Sequence, residues 1–306
     1  VVVFIAVAED GSMHWSLVQP EVARFANTVS VERAGFAWSD PGPVPRTLRQ
    51  EAHELQLLLS RLGLKPPYIL VGHSVGGLVA RVFAQEHPDA VAGMVLVDAT
   101  DPDTTLMQGR EENGQWVNRL VRVRETATRR AVPPPQTMNS SPPLPPTAEE
   151  LEQWEQLRSM FGPPSIQPPF DRLPAAAQTA LLWARAHPKI TRASEDYFAE
   201  ELAALFETDR TDPRPLGERP LIVLASRQQA VEVPRGIAPG GWAAANDEKA
   251  RQKERMAGLS RNSLFRRDER SGHHLHVENP GLVIAAVEAV VGSIVNGGQL
   301  SADSIP

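Results

Sequence analysis

The pentapeptide Gly72-His73-Ser74-Val75-Gly76 sets a hydroxyl between two glycines, after the apolar run 68–71 and before a helical pattern from Leu78. That context suits a serine nucleophile. A sharp turn from strand to helix presents the serine clear of the backbone, and the residues two before and two after it must lack colliding side chains. Gly72 and Gly76 meet that need, and Gly77 lets the helix approach the strand closely. At the helix head, the N-terminal partial charge and the backbone N–H of Val75 can stabilise an oxyanion. A glycine-rich turn with an incidental serine is the bland alternative, and the strand and helix on either side weigh against it.

A hydroxyl is a poor nucleophile near neutral pH, so a base must take its proton. Ser271-Gly272-His273-His274-Leu275-His276 offers one: His273 follows the small pair Ser-Gly and precedes a closing helix at Pro280. Three neighbouring histidines also raise a metal site. Neither cysteine nor a second histidine cluster accompanies them, so no metal is expected, and His274 and His276 read as packing or hydrogen-bonding residues. The third member should be a carboxylate that orients the imidazole and stabilises its charged form. The apolar run 221–225 leads into Ser226-Arg227-Gln228-Gln229 without an acid, whereas the run 95–97 ends at Asp98. Asp98 is therefore the expected acid, in the chain order Ser, Asp, His. Asp101, Asp103, Glu232 and Asp247 remain alternatives, and Asp98 could instead cap a turn.

These residues need a frame. Short β runs at 1–7 and 28–31 precede helical spacing over 45–62, with Leu48, Leu55, Leu58 and Leu59 on one face. Continuous apolar runs at 68–71, 93–97 and 221–225, and a weaker one at 263–267, suit strands buried on both faces, and 280–295 reads as a closing helix with Pro280 in its first turn. The alternation predicts an α/β fold: a mostly parallel central sheet flanked by helices, with ligands beyond the carboxyl ends of the strands.

Between Thr100 and Arg219 the strand pattern stops, and helices are expected at 111–130, 148–160, 175–187 and 193–208. The proline-rich stretch 133–146 reads as a semi-rigid linker or lid edge. The expected division is a core of residues 1–100 and 219–306 with a helical, proline-rich cap over 101–218. Trp154, Met160 and Trp183 of that cap, together with His73, are the candidate substrate contacts, although aromatics at helical spacing serve equally well as cap core. Residues 116–130, with Trp116, Leu120 and Val123 sharing a face, admit a peripheral membrane helix, and cap packing explains them as well. The basic run 249–255 reads as a solvated helix face.

Of 306 residues, 42% are hydrophobic and 22% charged, which fits a soluble globular chain able to bury a sizeable core. Its 31 Lys and Arg against 37 Asp and Glu, net −6, argue against nucleic acid as a partner, and mild acidity mainly means solubility. Without cysteine, disulfides and a thiol nucleophile are excluded. The apolar stretches 1–8 and 281–295 are too short to span a bilayer, so no stable membrane insertion is expected. The opening Val-Val-Val leaves room for a removed leader, compatible with a cytoplasmic or an exported protein.

Three segments carry a resemblance: residues 67–77 with Phe83-Ala84 and His87-Pro88, the stretch Glu32-Arg33-Ala34-Gly35-Phe36-Ala37-Trp38-Ser39-Asp40, and Ser271-Gly272-His273 through Pro280. Together they resemble the α/β-hydrolase superfamily, of the serine esterase and lipase type with a helical cap. The likeness implies a Ser-His-acid hydrolase without cofactor, acting on esters or related acyl compounds. Glu32 and Ala37 depart from the family segment D-R-x-G-x-G-x-S-D, and the loop Ala6-Val7-Ala8-Glu9-Asp10-Gly11 lacks its usual His-Gly. A backbone donor needs no particular side chain, so Ala8 is the candidate second oxyanion N–H. The resulting expectation is cleavage of carboxylic esters of apolar small molecules through an acyl-enzyme on Ser74. Amide or prolyl-peptide hydrolysis, C–C bond hydrolysis and acyl transfer would use the same triad, and a non-catalytic binding module is the alternative of another class.

Overall fold

The computed structural model of the chain describes residues 1–6, 11–112, 115–137, 147–186, 197–227, 233 and 236–305. Among them, strands run at β1 (Val2–Ile5), β2 (Thr28–Val31), β3 (Tyr68–His73), β4 (Val91–Val97), β5 (Thr105–Glu112), β6 (Gln115–Arg122), β7 (Leu221–Ser226) and β8 (Ser263–Asp268). Helices are α1 (Gln19–Val22), α2 (Leu48–Arg61), α3 (Val75–Glu86), α4 (Ala148–Phe161), α5 (Ala175–Arg185), α6 (Phe198–Thr211), α7 (Pro239–Arg255), α8 (Leu275–Glu278) and α9 (Pro280–Asn296).

Six of the described strands form one sheet in the order β2-β1-β3-β4-β7-β8, and every neighbouring pair is parallel. The apolar runs explain why: β1, β3 and β7 are buried at every residue, as a strand covered on both faces must be. Alternate side chains serve alternate layers. Val3, Leu70, Met94, Leu96 and Val223 pack with Leu48, Leu55, Leu78 and Phe83 of α2 and α3. Phe4, Ile69, Val71, Val95, Val97 and Leu224 pack on the other face with Val283, Ala286, Val287 and Val290 of α9. The mostly parallel sheet flanked by helices is thus as the sequence pattern predicts.

The stretch between β4 and β7 differs from expectation. No helix covers 111–130: β5 and β6 pair antiparallel, from Thr105↔Arg122 to Glu112↔Gln115, and a short 3-10 turn (Val123–Thr126) follows. Trp116 and Leu120, four apart, share a face in a strand as well as in a helix, so their spacing does not decide between them. The β-branched Val117 and Val121, and Asn113-Gly114 between two pattern runs, carry the strand signal. The proposed membrane helix at 116–130 falls with it. Helices α4, α5 and α6 match the other expected segments, although 187–196 lies outside the described residues. The proline-rich stretch is described only to residue 137. Among the described residues no helix is long and apolar enough to cross a membrane.

Candidate active site

Ser74 stands between β3 and α3 with φ 53° and ψ −121°, in the left-handed half of backbone space that a side chain ordinarily avoids. The surroundings hold it there. Its N–H donates to the Val97 carbonyl at 3.2 Å, and its own carbonyl accepts from Gly77 and Thr100 N–H, both at 3.0 Å. A Cβ on Gly72 would fall 2.6 Å from the Gly76 carbonyl oxygen, one on Gly76 would fall 2.5 Å from that of Ile5, and one on Gly77 would fall 2.5 Å from the Ala99 Cβ. The glycines therefore let the turn close against β1 and β4.

Val75 is the first residue of α3, where the helix does not use the backbone N–H. Ala6 abuts the elbow through its carbonyl, so the loop after β1 starts beside Ser74. Ala8, the candidate second donor, lies outside the described residues. Glu32 accepts from the Ser12 N–H at 2.9 Å and the Ser12 hydroxyl at 2.5 Å, tying the far end of that loop to the segment after β2. Ala37, where the family segment has glycine, adopts φ 44°, which explains the usual residue.

The acid and the base meet from different strands. Asp98, directly after β4 and 2% exposed, points Oδ2 at His273 Nδ1, 2.6 Å away. Its Oδ1 accepts from the Ser226 N–H at 2.8 Å and from the ammonium of Lys253, buried at the end of α7. Burial alone would raise the Asp98 carboxyl, but the His273 hydrogen bond and the Lys253 charge outweigh it and hold the group well below the usual carboxylate range. With Nδ1–H given to Asp98, the Nε2 lone pair of His273 is free to accept a proton. The His273 loop is pinned at both ends: Asp268 accepts from the Ser271 hydroxyl at 2.6 Å and Asn279 Nδ2 at 2.8 Å, and Glu278 accepts from Gly272 N–H at 2.9 Å.

Ser74, Asp98 and His273 line one cavity of about 440 Å³. Thr100, Asp101, Thr104 and Leu106 form one wall, and Trp242, Asn246 and Lys249 of α7 another. Of the expected cap aromatics, Trp183 is not among the residues lining this cavity. Trp183 instead stacks on Trp38, ring centroids 5.3 Å apart at 9°, with both rings exposed to solvent. The side chains of Trp154 and Met160 lie outside the described residues. His73 also faces away from the cavity: it is 1% exposed, its Nε2–H donates to the His273 carbonyl at 2.9 Å, and it packs on His276 at 4.3 Å. At the end of β3 its side chain points to the opposite sheet face from its neighbour Ser74.

Among the other candidate acids, the described ones make no hydrogen bond or ion pair with His273, and Asp101 lines the same cavity. Asp103 pairs with Arg122 at 2.6 Å and with Arg124, and Asp101 accepts from the Asp103 N–H at 2.8 Å. Asp247 is exposed on α7, and Glu232 lies outside the described residues. The run 249–255 is not uniformly solvated: Lys253 reaches Asp98, and Gln252 Nε2 donates to the Asp103 carbonyl at 2.7 Å. No spacing rule in the sequence marks Lys253 as a partner of Asp98, 155 positions away.

Beneath the base lies a group of imidazoles. Ligand atoms of His14, His274 and His276 come within 4.8 Å of one another, the metal-capable cluster among the described residues. Their ring centroids stand 5.9 to 6.1 Å apart, wider than the roughly 5 Å of imidazoles sharing one zinc, and His14 lies stacked at 29° on His276. Phe170 packs on His14 and His274, and Trp15 packs on His276, each near 4.7 Å, so the group is arranged as an aromatic cluster. Burial, then the neighbouring imidazoles, hold His73 and His276 well below the ordinary histidine value.

A profile described as the alpha/beta hydrolase fold matches residues 2–173. An uncharacterized protein of Bacillus subtilis is 31% identical over 97 residues, 32% of this chain and 38% of its own length. An sn-1-specific diacylglycerol lipase of Mus musculus is 36% identical over 90 residues, 29% of each chain. The chain thus matches well under half the length of these relatives. Over the whole fold, an esterase of Thermogutta terrifontis superposes with a TM-score of 0.59 at 18% identity, covering 96% of this chain and 89% of that one.

Proposed function

Since the chain belongs to the alpha/beta hydrolase fold family, we propose that it is a serine hydrolase that cleaves carboxylic esters of small molecules through an acyl-enzyme on Ser74. The observation that carries this reading is the 2.6 Å contact of His273 Nδ1 with the buried Asp98, beside a serine held at a strained elbow on the same cavity.

In that reaction Ser74 Oγ attacks the ester carbonyl while His273 Nε2 takes its proton, and Asp98 stabilises the resulting imidazolium. The Val75 N–H, with a second donor from the loop after β1 for which Ala8 is the candidate, holds the oxyanion. As the intermediate collapses, the C–O bond to the alcohol breaks and His273 returns the proton to the departing oxygen. Water, deprotonated by His273, then attacks the acyl-enzyme; the bond between Ser74 Oγ and the acyl carbon breaks, His273 returns the proton to Oγ, and the acid product leaves. The stretch 101–218 is proposed as the cap, since Asp101, Thr104 and Leu106 wall the cavity.

The test is release of p-nitrophenol from acetate, butyrate and octanoate esters by the unaltered chain, Ser74→Ala and Asp98→Asn, with fluorophosphonate labelling alongside. Turnover and labelling that vanish in Ser74→Ala support the reading. No turnover above that variant, with no labelling of Ser74, overturns it in favour of a binding module.

A further inference from the structure

Asp98 carries one more partner than a Ser-His-acid relay requires. Oδ2 serves His273, Oδ1 already accepts the Ser226 N–H, and the Lys253 ammonium adds a second donor to the same oxygen. Both ends of this ion pair are withdrawn from water, with side-chain exposures of 11% for Lys253 and 2% for Asp98. Burying such a pair is costly unless close geometry and further hydrogen bonds offset the lost hydration. The lysine is delivered deliberately: Gln252, its neighbour on α7, is anchored to the Asp103 carbonyl, and α7 packs on β7, whose last residue gives the Ser226 N–H.

A carboxylate buried this deeply would favour its protonated form, in which it no longer attracts the imidazolium formed during attack. The Ser226 N–H on Oδ1 and His273 on Oδ2 orient the carboxylate, and the Lys253 ammonium adds a charged donor that strengthens the hold on Oδ1. Among the described residues, Lys253 forms an ion pair with Asp98 through Oδ1 and His273 contacts it through Nδ1 at Oδ2. Lys249, one turn earlier on α7, and Arg227 line the cavity without an ion pair to Asp98.

We propose that Lys253 is a positioning residue for the hydrolysis assigned above: its ammonium keeps the Asp98 carboxylate ionised and fixed with Oδ2 toward His273. The inference rests on that reading of Ser74, Asp98 and His273. Lys253 acts through Asp98 and not on the substrate, so its removal should be felt in kcat and should be invisible once Asp98 has lost its charge.

The experiment is a double-mutant cycle on a p-nitrophenyl ester with Lys253→Met, Asp98→Asn and the double variant, adding Lys253→Arg for rescue and Ser74→Ala as control, each checked by thermal denaturation. Lys253→Met is expected to lower kcat about 10- to 100-fold with KM changed less than about 3-fold. Lys253→Arg should recover most of that loss, and Lys253→Met should cost nothing further beside Asp98→Asn. A folded Lys253→Met with kcat within twofold of the parent overturns the proposal, as does an equal loss in both backgrounds. If Lys253→Met does not fold, the comparison of Asp98→Asn with the double variant, which buries no unpaired charge, together with Lys253→Arg, decides the same question: a loss on adding Lys253→Met to Asp98→Asn, or full loss in a folded Lys253→Arg, overturns it. Undiminished kcat in Ser74→Ala or Asp98→Asn instead overturns the assignment of the triad, whatever happens at Lys253.

Discussion

Acidification should loosen this fold through the histidines beneath the site, and His276 isolates the effect. His276 is 1% exposed, stacked on His14 and packed against the tilted rings of Trp15 and His73, and held well below 6.5 first by burial and then by the neighbouring imidazoles. In the unfolded chain it takes up a proton near 6.5, whereas in the fold it stays neutral, so the unfolded state binds more protons below that pH. Its contribution is therefore fully present above 6.5 and is lost as pH falls. Integrating from pH 6.5 to 5.5 gives about 1 kcal/mol for one such histidine, and His73 adds a similar amount. His276→Phe keeps a ring against Trp15 but removes one titration, and carboxylates common to both chains cancel in the comparison. Urea denaturation followed by circular dichroism at pH 7.5, 6.5 and 5.5 should show the parent losing about 1 kcal/mol more than His276→Phe between the last two. Parallel pH dependence in the two chains would refute the claim that His276 is buried neutral.

Glu201 works in the opposite sense. Burial pushes its carboxyl up to about 7 although it accepts the Leu48 and Arg49 N–H groups at 2.7 and 3.0 Å, so its contribution is present below 4.5 and lost as pH rises through 7. Glu201→Gln should therefore steepen the acid loss of stability between pH 6.5 and 5.5 by about 1 kcal/mol in the same urea titration. Ala37→Gly should raise stability by roughly 0.5–1 kcal/mol, because relief of a left-handed alanine outweighs the extra freedom of the unfolded chain; a lower denaturation midpoint would refute this. Asp98→Asn should lower kcat on p-nitrophenyl butyrate about 10³- to 10⁴-fold with the fold retained, and a loss under tenfold would remove Asp98 from the relay. Trp183→Ala should leave kcat/KM for p-nitrophenyl acetate within about twofold, since the ring stacks on Trp38 outside the cavity; a tenfold loss would return Trp183 to the substrate wall.

The frame was legible where one physical demand governs a short segment. The runs at β3, β4 and β7 admit no polar residue because helices cover both faces, and Gly72, Gly76 and Gly77 are demanded by carbonyls and a methyl that leave no room for a Cβ. Asp98 could be picked out because it stands at the carboxyl end of a buried strand, and the structure brings its Oδ2 to 2.6 Å from His273 Nδ1. The hairpin β5–β6 is hard to read because a four-residue spacing of apolar side chains serves a strand and a helix alike, and only the Asn113-Gly114 pair and the β-branched Val117 and Val121 separate the two readings.

What the sequence hides is partnership across long separations. Lys249, Lys253 and Arg255 belong to one basic helical run, and no local pattern distinguishes the lysine that enters the core from its neighbours on the surface. The distinction comes from where α7 docks: Gln252 meets the Asp103 carbonyl, which turns position 253 inward to Oδ1 and leaves Arg255 outward with Glu248. The cavity wall follows the same logic. Aromatic residues of 101–218 suggested an apolar lining from composition, whereas the cavity that holds Ser74 is lined, among the described residues, by Thr100, Asp101, Thr104 and Leu106 and by Trp242, Asn246 and Lys249 of α7. On the proposed function, substitutions of the α7 residues Trp242, Asn246 and Lys249 should change the ratio of kcat/KM for p-nitrophenyl acetate and octanoate more than substitutions of the exposed Trp38 and Trp183, and an equal change in both sets would refute that expectation.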